Sequence, residues 1–234
     1  MITTSSSLRP IALVVLDMAG TTVADAGLTE IAYTSALRAL DVESGSETLR
    51  QMLGEVRKTM GEPVISVLLR LFDGDESRAR AGLKSFDARY AEFADAGQIV
   101  AMPGAAHAIR ALRESGIKVA LSTGFSNSTR ECIVAALGWQ DIADAEIGPD
   151  DLDDLHEGAG NPVQVAAHAT GVGDPRLIAT VGDTAFDVEC GRQAGASFVA
   201  GVLTGAHDAP TLQAAGATHL LPGAMSLPEF ITAA

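Results

Sequence analysis

Acidic side chains placed directly after apolar runs are the first feature with chemical consequence. Asp17 follows Ile11-Ala-Leu-Val-Val-Leu16, while Asp183 and Asp187 lie in Gly182-Asp-Thr-Ala-Phe-Asp187, after the run at 177–181. Gathering three carboxylates at neighbouring strand ends is unfavourable for bare like charges. A hard divalent cation removes that cost, and Mg²⁺ prefers one or two carboxylates completed by carbonyls and waters. A carboxylate beside such a cation can attack phosphorus and form an aspartyl phosphate. The competing use of these residues is structural, because aspartates also cap helices and form turns. A third polar group, Thr123-Gly124, follows the run at 117–121. There a hydroxyl and nearby backbone N–H groups can hold an oxyanion, with helix capping again the alternative.

These residues need a sheet to bring them together. Continuous, partly β-branched apolar runs are expected of strands buried on both faces of a parallel sheet. The pattern predicts strands over 11–16, 117–121, 177–181, 198–203 and 219–221, with helices over 104–115, 128–137, 163–170 and 185–194 between them. Strand alternating with helix implies right-handed crossovers, and ligand chemistry in such sheets sits at the carboxyl ends of the strands. Residues 24–99 break the rhythm. They read as helices only, over 28–40, 46–60, 63–72 and 76–96, with Gly61-Glu-Pro63 and Asp73-Gly-Asp75 as stops and starts. The expected fold is therefore α/β: a Rossmann-like parallel-sheet core made of residues 1–23 and 100–234, interrupted by an all-helical cap domain at 24–99.

Composition narrows the function classes. The formal net charge of −14 repels phosphate backbones and anionic membranes, which argues against nucleic-acid and membrane partners. Residues 24–99 hold nine Lys/Arg against thirteen Asp/Glu, leaving seven against seventeen elsewhere. Fixed positive contacts to an anionic substrate must therefore come from the helical segment or from a metal. The first ten residues carry no apolar stretch that would serve as a leader and are expected to fray. Two cysteines, Cys132 and Cys190, are too few for a disulfide framework and suit a reducing cytoplasm. Ile31, Leu37 and Leu40 form an apolar stripe that would serve a homodimer through the cap, or else packing within the cap.

Taken together, Asp17-Met-Ala-Gly-Thr-Thr-Val23, Ser122-Thr123-Gly124 and Gly182-Asp-Thr-x-x-Asp187-x-x-x-Gly-Arg-x-Ala-Gly195 resemble, in order, motifs one, two and four of the haloacid dehalogenase (HAD) superfamily. The Asp-x-Ala-Gly-Thr form is similar to phosphonoacetaldehyde hydrolase and its phosphonatase-like relatives. Arg57-Lys-Thr-Met-Gly61, Ile117-Lys-Val119, Pro149-Asp-Asp151 and Gly201-Val-Leu-Thr-Gly205 extend the resemblance over essentially the whole chain. It implies Asp17 as nucleophile and metal ligand, the Ala19 carbonyl as a second ligand, and Asp183 and Asp187 as further Mg²⁺ ligands. Thr123 would hold a phosphoryl oxygen with Gly124 beside it, and Arg57 and Lys58 would contact substrate.

Three departures from the family pattern shape the functional reading. Ala19 stands where most HAD phosphatases carry a second Asp, so no side chain there can protonate a leaving alkoxide, a contribution of about 10²–10⁴-fold. Val64 stands where phosphonatase carries its Schiff-base lysine. The basic residue of motif three falls at Ala159 or Gly160, and no Lys or Arg occurs between Arg130 and Arg176. His156 is the nearest stand-in, since an imidazole beside carboxylates can hold its proton. The leading expectation is a phosphonatase-like, Mg²⁺-dependent hydrolase acting on a small phosphorylated or phosphonate compound. The alternatives are a binding or regulatory protein on a degenerate scaffold, and metal-independent hydrolysis at carbon.

Overall fold

The computed structural model describes residues 10–152 and 160–231. Six strands, β1 (Leu13–Asp17), β2 (Lys118–Ser122), β3 (Ala145–Ile147), β4 (Ile178–Gly182), β5 (Phe198–Val202) and β6 (His219–Leu221), form one sheet in the order β3-β2-β1-β4-β5-β6. All five pairings are parallel. β1 is central, and its alternate residues enter different cores. Val14 and Leu16 join the larger apolar cluster, while Leu13 and Val15 join the one on the opposite face. That two-sided burial is why the run is continuously apolar rather than alternating.

Helices α1 (Leu28–Ala39), α2 (Glu47–Lys58), α3 (Val64–Leu71) and α4 (Glu76–Asp95) follow β1 without an intervening strand. Ser46 and Asp75 cap α2 and α4 by accepting the Leu49 and Arg78 backbone N–H groups. The long α4 buries Ala79, Gly82, Phe86, Tyr90 and Phe93, the three-and-four spacing of one helix face. Helices α5 (Ala105–Glu114), α6 (Asn127–Leu137), α7 (Pro162–Thr170) and α8 (Ala185–Gln193) link the strands. The short α9 (Ala209–Ala215) and α10 (Leu227–Ile231) complete the chain.

The strands and helices expected from pattern are present, with ends shifted by at most two residues. Among the strands and α-helices of the described residues, three were not anticipated: β3, α9 and α10. The Ile31, Leu37, Leu40 stripe is largely internal, since Leu37 is fully buried, Leu40 packs on the core, and only Ile31 is exposed. Packing within the chain thus accounts for two of its three residues. Among the described residues, no helix is long and apolar enough to cross a membrane.

Candidate active site

β1 ends at Asp17, whose register partner on β2 is Ser122, and Thr123 follows at once. β4 ends at Gly182, so Asp183 emerges beside Asp17, and Asp187 lies one turn into α8. Oxygens of Asp17, Asp183 and Asp187 lie within 4.8 Å of one another. The sheet order explains the convergence: β2, β1 and β4 are adjacent parallel strands, so their carboxyl ends meet at one edge.

Asp183 and Asp187 are each held by their own set of donors. Asp183 is buried and accepts the Thr21 hydroxyl at 2.8 Å and the Ala206 backbone N–H at 2.7 Å. Asp187 accepts the Thr184 backbone N–H at 3.0 Å and the Thr184 hydroxyl at 2.6 Å, the capping box that opens α8. The loop after β1 turns back at Gly20, where φ is +87° and an added Cβ would lie 2.5 Å from an Asp183 oxygen. Only glycine supplies both that backbone and that space. The Thr22 hydroxyl donates to the Asp17 carbonyl at 2.9 Å and the Thr204 hydroxyl to the Gly20 carbonyl at 2.7 Å, fixing this loop from both sides.

Electrostatics follow from that crowding. Burial, then the charges of Asp187 and Asp183, push the Asp17 carboxyl well above the usual carboxylate range. Burial and Asp183 raise Asp187 to about 7, and burial raises Asp183 against the pull of its hydrogen bonds. Three carboxylates that resist ionising together, offering only oxygen donors, fit a hard divalent cation such as Mg²⁺. The HAD family generally uses that ion, and this cluster could hold it.

A cavity of about 230 Å³ opens over the cluster. Asp17, Ala19, Thr123, Gly124 and Asp183 form its core side, and Asp25, Tyr33, Met60, Glu62 and Val64 close it from the helical side. Val64 donates its backbone N–H to the Gly124 carbonyl at 2.9 Å, so the helical layer is hydrogen-bonded to the loop that carries Thr123. The Thr123 hydroxyl accepts the Phe125 N–H at 3.2 Å. Ala19 presents only a methyl group where an acid would have stood.

Arg57 and Lys58 are not brought to this cavity. Arg57 forks onto Glu30 at 2.6 and 2.7 Å on the outer surface, and Lys58 sits 3.5 Å from Glu55 with a largely exposed side chain. Both close α2, and neither side chain lines the cavity. His156 lies outside the described residues, as does Ala159, and Gly160 is exposed. Sequence reasoning did not single out Tyr33, Asp25, Glu62 or the Thr204-Gly-Ala206 loop as site residues. Thr204-Gly205 was visible as part of a motif, whereas the other three are polar residues of the helical segment with no local mark.

Known structures share this architecture across nearly the whole chain. A hydrolase from Pseudomonas syringae aligns with a TM-score of 0.78 at 19% identity, covering 95% of this chain and 98% of its own. A protein described as a predicted phosphatase, from Clostridium acetobutylicum, gives 0.78 at 17% identity over 97% and 100%. A phosphonoacetaldehyde hydrolase like protein from Oleispira antarctica gives 0.75 at 19% identity over 97% and 93%. No curated protein matches the sequence. The model of the haloacid dehalogenase-like hydrolases matches residues 11–195, which take in all three carboxylates and Thr123, and the chain belongs to that family.

Proposed function

We propose that the protein is a phosphonatase-like, Mg²⁺-dependent hydrolase that transfers a phosphoryl group from a small phosphorylated or phosphonate metabolite to Asp17. The observation that carries this reading is the three-carboxylate cluster, of which Asp17 and Asp183 line the cavity, with Asp17 at the end of the central strand. Asp17, Asp183, Asp187 and the Ala19 carbonyl would hold Mg²⁺, which offsets the negative charge of nucleophile and phosphoryl group when bound.

The chain's own residues divide the remaining work. An Asp17 oxygen attacks phosphorus, the bond from phosphorus to the leaving group breaks, and the bond pair departs with the leaving group. Thr123 and the neighbouring backbone N–H groups orient the phosphoryl oxygens. Water then hydrolyses the aspartyl phosphate, returning Asp17 and releasing phosphate. Ala19 offers no proton to the leaving group, which favours substrates with good leaving groups or their own acid. The helical segment 24–99 acts as the cap that shuts the cavity. The unpaired thiols of Cys132 and Cys190 support a cytoplasmic setting.

The test is phosphate release from acyl phosphates, phosphomonoesters and phosphonoacetaldehyde, with and without Mg²⁺, alongside Asp17→Asn. Mg²⁺-dependent release that disappears in Asp17→Asn is the expected result. Mg²⁺ binding by a folded protein with no release from any of these compounds would favour the non-hydrolytic alternative instead.

A further inference from the structure

The cavity over Asp17 has a charge problem that its own walls do not solve. Among the described residues lining it, Asp17, Asp25, Glu62 and Asp183 are carboxylates, and none is a lysine, arginine or histidine. Arg70 reaches Glu62 at 2.5 Å but is itself outside the lining, so it neutralises one wall charge without offering a cation to the interior. Asp25 has neutral partners only: the Gly27 N–H at 3.0 Å, and the Thr29 N–H and hydroxyl at 3.0 and 2.5 Å. A dianionic phosphoryl group entering this cavity meets an excess of negative charge even with a divalent cation in place.

A second observation falls on the same wall. Tyr33 lines the cavity and is 3% exposed, with its ring packed edge-on to Phe86 at 5.1 Å. No described residue hydrogen-bonds its hydroxyl. The ring is buried but the hydroxyl opens onto the cavity, where a ligand can complete its hydrogen bonding. Asp25, Glu62 and the Tyr33 oxygen are all acceptors, and an ammonium group is a donor of three hydrogen bonds with no acceptor.

We propose that the substrate supplies both the missing positive charge and the missing acid: it is the phosphate monoester of a small amino alcohol, its ammonium seated against Asp25 and the Tyr33 hydroxyl. The remaining N–H passes its proton to the departing alkoxide oxygen as the bond to phosphorus breaks, so that the neutral amino alcohol leaves. The inference rests on the phosphoryl-transfer reading for its chemistry, and on the cavity alone for its charge selection. The volume, about 230 Å³, is below the range of roughly 300–1,000 Å³ typical of drug-sized ligand sites, so the alcohol is short. An anionic leaving group, such as one bearing a carboxylate, is disfavoured by the same wall.

The experiment compares three esters of matched size in the Mg²⁺-loaded protein: 2-aminoethyl phosphate, 1-propyl phosphate and 2-phosphoglycolate. The expected order of kcat/KM is cationic, then neutral, then anionic, with at least tenfold between the first two. Asp25→Asn should lower the ratio of aminoethyl to propyl phosphate about tenfold. Tyr33→Phe, which removes only an unpartnered oxygen and so preserves packing, should lower it about threefold. Calorimetric binding of the same esters to Asp17→Asn separates this inference from the hydrolase reading. A tenfold tighter Kd for the aminoethyl ester without turnover in the parent protein would sink the hydrolase reading and keep the charge selection. Equal or reversed affinities, or ratios unmoved by both wall variants, would overturn the proposal.

Discussion

Asp17, Asp183 and Asp187 share a site in which each carboxylate disfavours ionisation of the others. In the metal-free protein this repulsion opposes folding, and removing one charge relieves it. Asp17→Asn is therefore expected to raise the thermal midpoint of EDTA-treated protein by a few degrees, the response to about 1 kcal/mol in a chain of this size. Mg²⁺ should stabilise the parent by about 2.7 kcal/mol at a hundredfold excess over Kd, raising its midpoint, and shift Asp17→Asn far less. A variant that is less stable without metal, yet still responds fully to Mg²⁺, would remove Asp17 from the ligand set. At this scale the sequence was informative for a definite reason. Asp17, Thr123, Asp183 and Asp187 each follow a strand within a few residues, so chain-local motifs reveal them. Tyr33, Asp25 and Glu62 reach the cavity only through the packing of helices onto the sheet edge, and nothing in their immediate sequence records that.

Elements differ in how far their own sequence specifies them. β1, β4 and β5 are apolar runs buried on both faces and are readable from pattern alone. β3 is Ala-Glu-Ile, three residues without an apolar run, and it is placed by side chains outside it. Asp144, just before β3, accepts the Val119 N–H at 2.9 Å, Lys118 Nζ at 3.1 Å and Arg113 Nε at 3.2 Å. Arg113 also donates to the Asp141 and Ile142 carbonyls, so α5 and β2 together clamp the edge strand. Burial pushes the Asp144 carboxyl up, but these donors outweigh it and hold it below the ordinary value of 3.8. A depressed carboxylate contributes stability that is present above its unfolded pKa and lost as pH falls through its folded pKa. Asp144→Asn should thus cost about 1–2 kcal/mol at pH 7, by the weight of charge-assisted hydrogen bonds. The gap from the parent protein should close below about pH 4 in urea melts. A gap that persists at low pH would mean that the asparagine disturbs packing rather than charge.

For the molecule as a whole, function depends on the seam between the helical segment and the sheet edge. That seam is made in three ways. Phe125, in the loop after β2, packs against Tyr90 and Phe86 of α4, with ring centroids 4.8 and 5.7 Å away. Asp87 of α4 accepts the Ser126 and Thr129 hydroxyls at 2.7 and 2.8 Å, tying the helical layer to the start of α6. Closest of all, the backbone at Gly124 meets the backbone of the Gly61-Glu62 turn. A Cβ at position 124 would lie 2.6 Å from the Glu62 carbonyl oxygen and 2.9 Å from that of Gly61. Neither neighbour is a flexible side chain, so the layers must part by a good fraction of an ångström. A displacement of about 1 Å at a reacting centre costs on the order of 10²-fold in rate. Gly124→Ala should accordingly lower phosphate release by about 10–100-fold. Mg²⁺ affinity should stay within about twofold, since the carboxylates lie on the sheet side of the seam. Gly54→Ala is the matched control: that glycine lies inside α2 with open space around its missing Cβ, and the change should stabilise the protein by about 0.5–1 kcal/mol. Faster limited proteolysis of the helical segment in Gly124→Ala, but not in Gly54→Ala, would locate the loss at the seam. Full activity in Gly124→Ala would show that the two layers need not meet this closely for the chemistry to proceed.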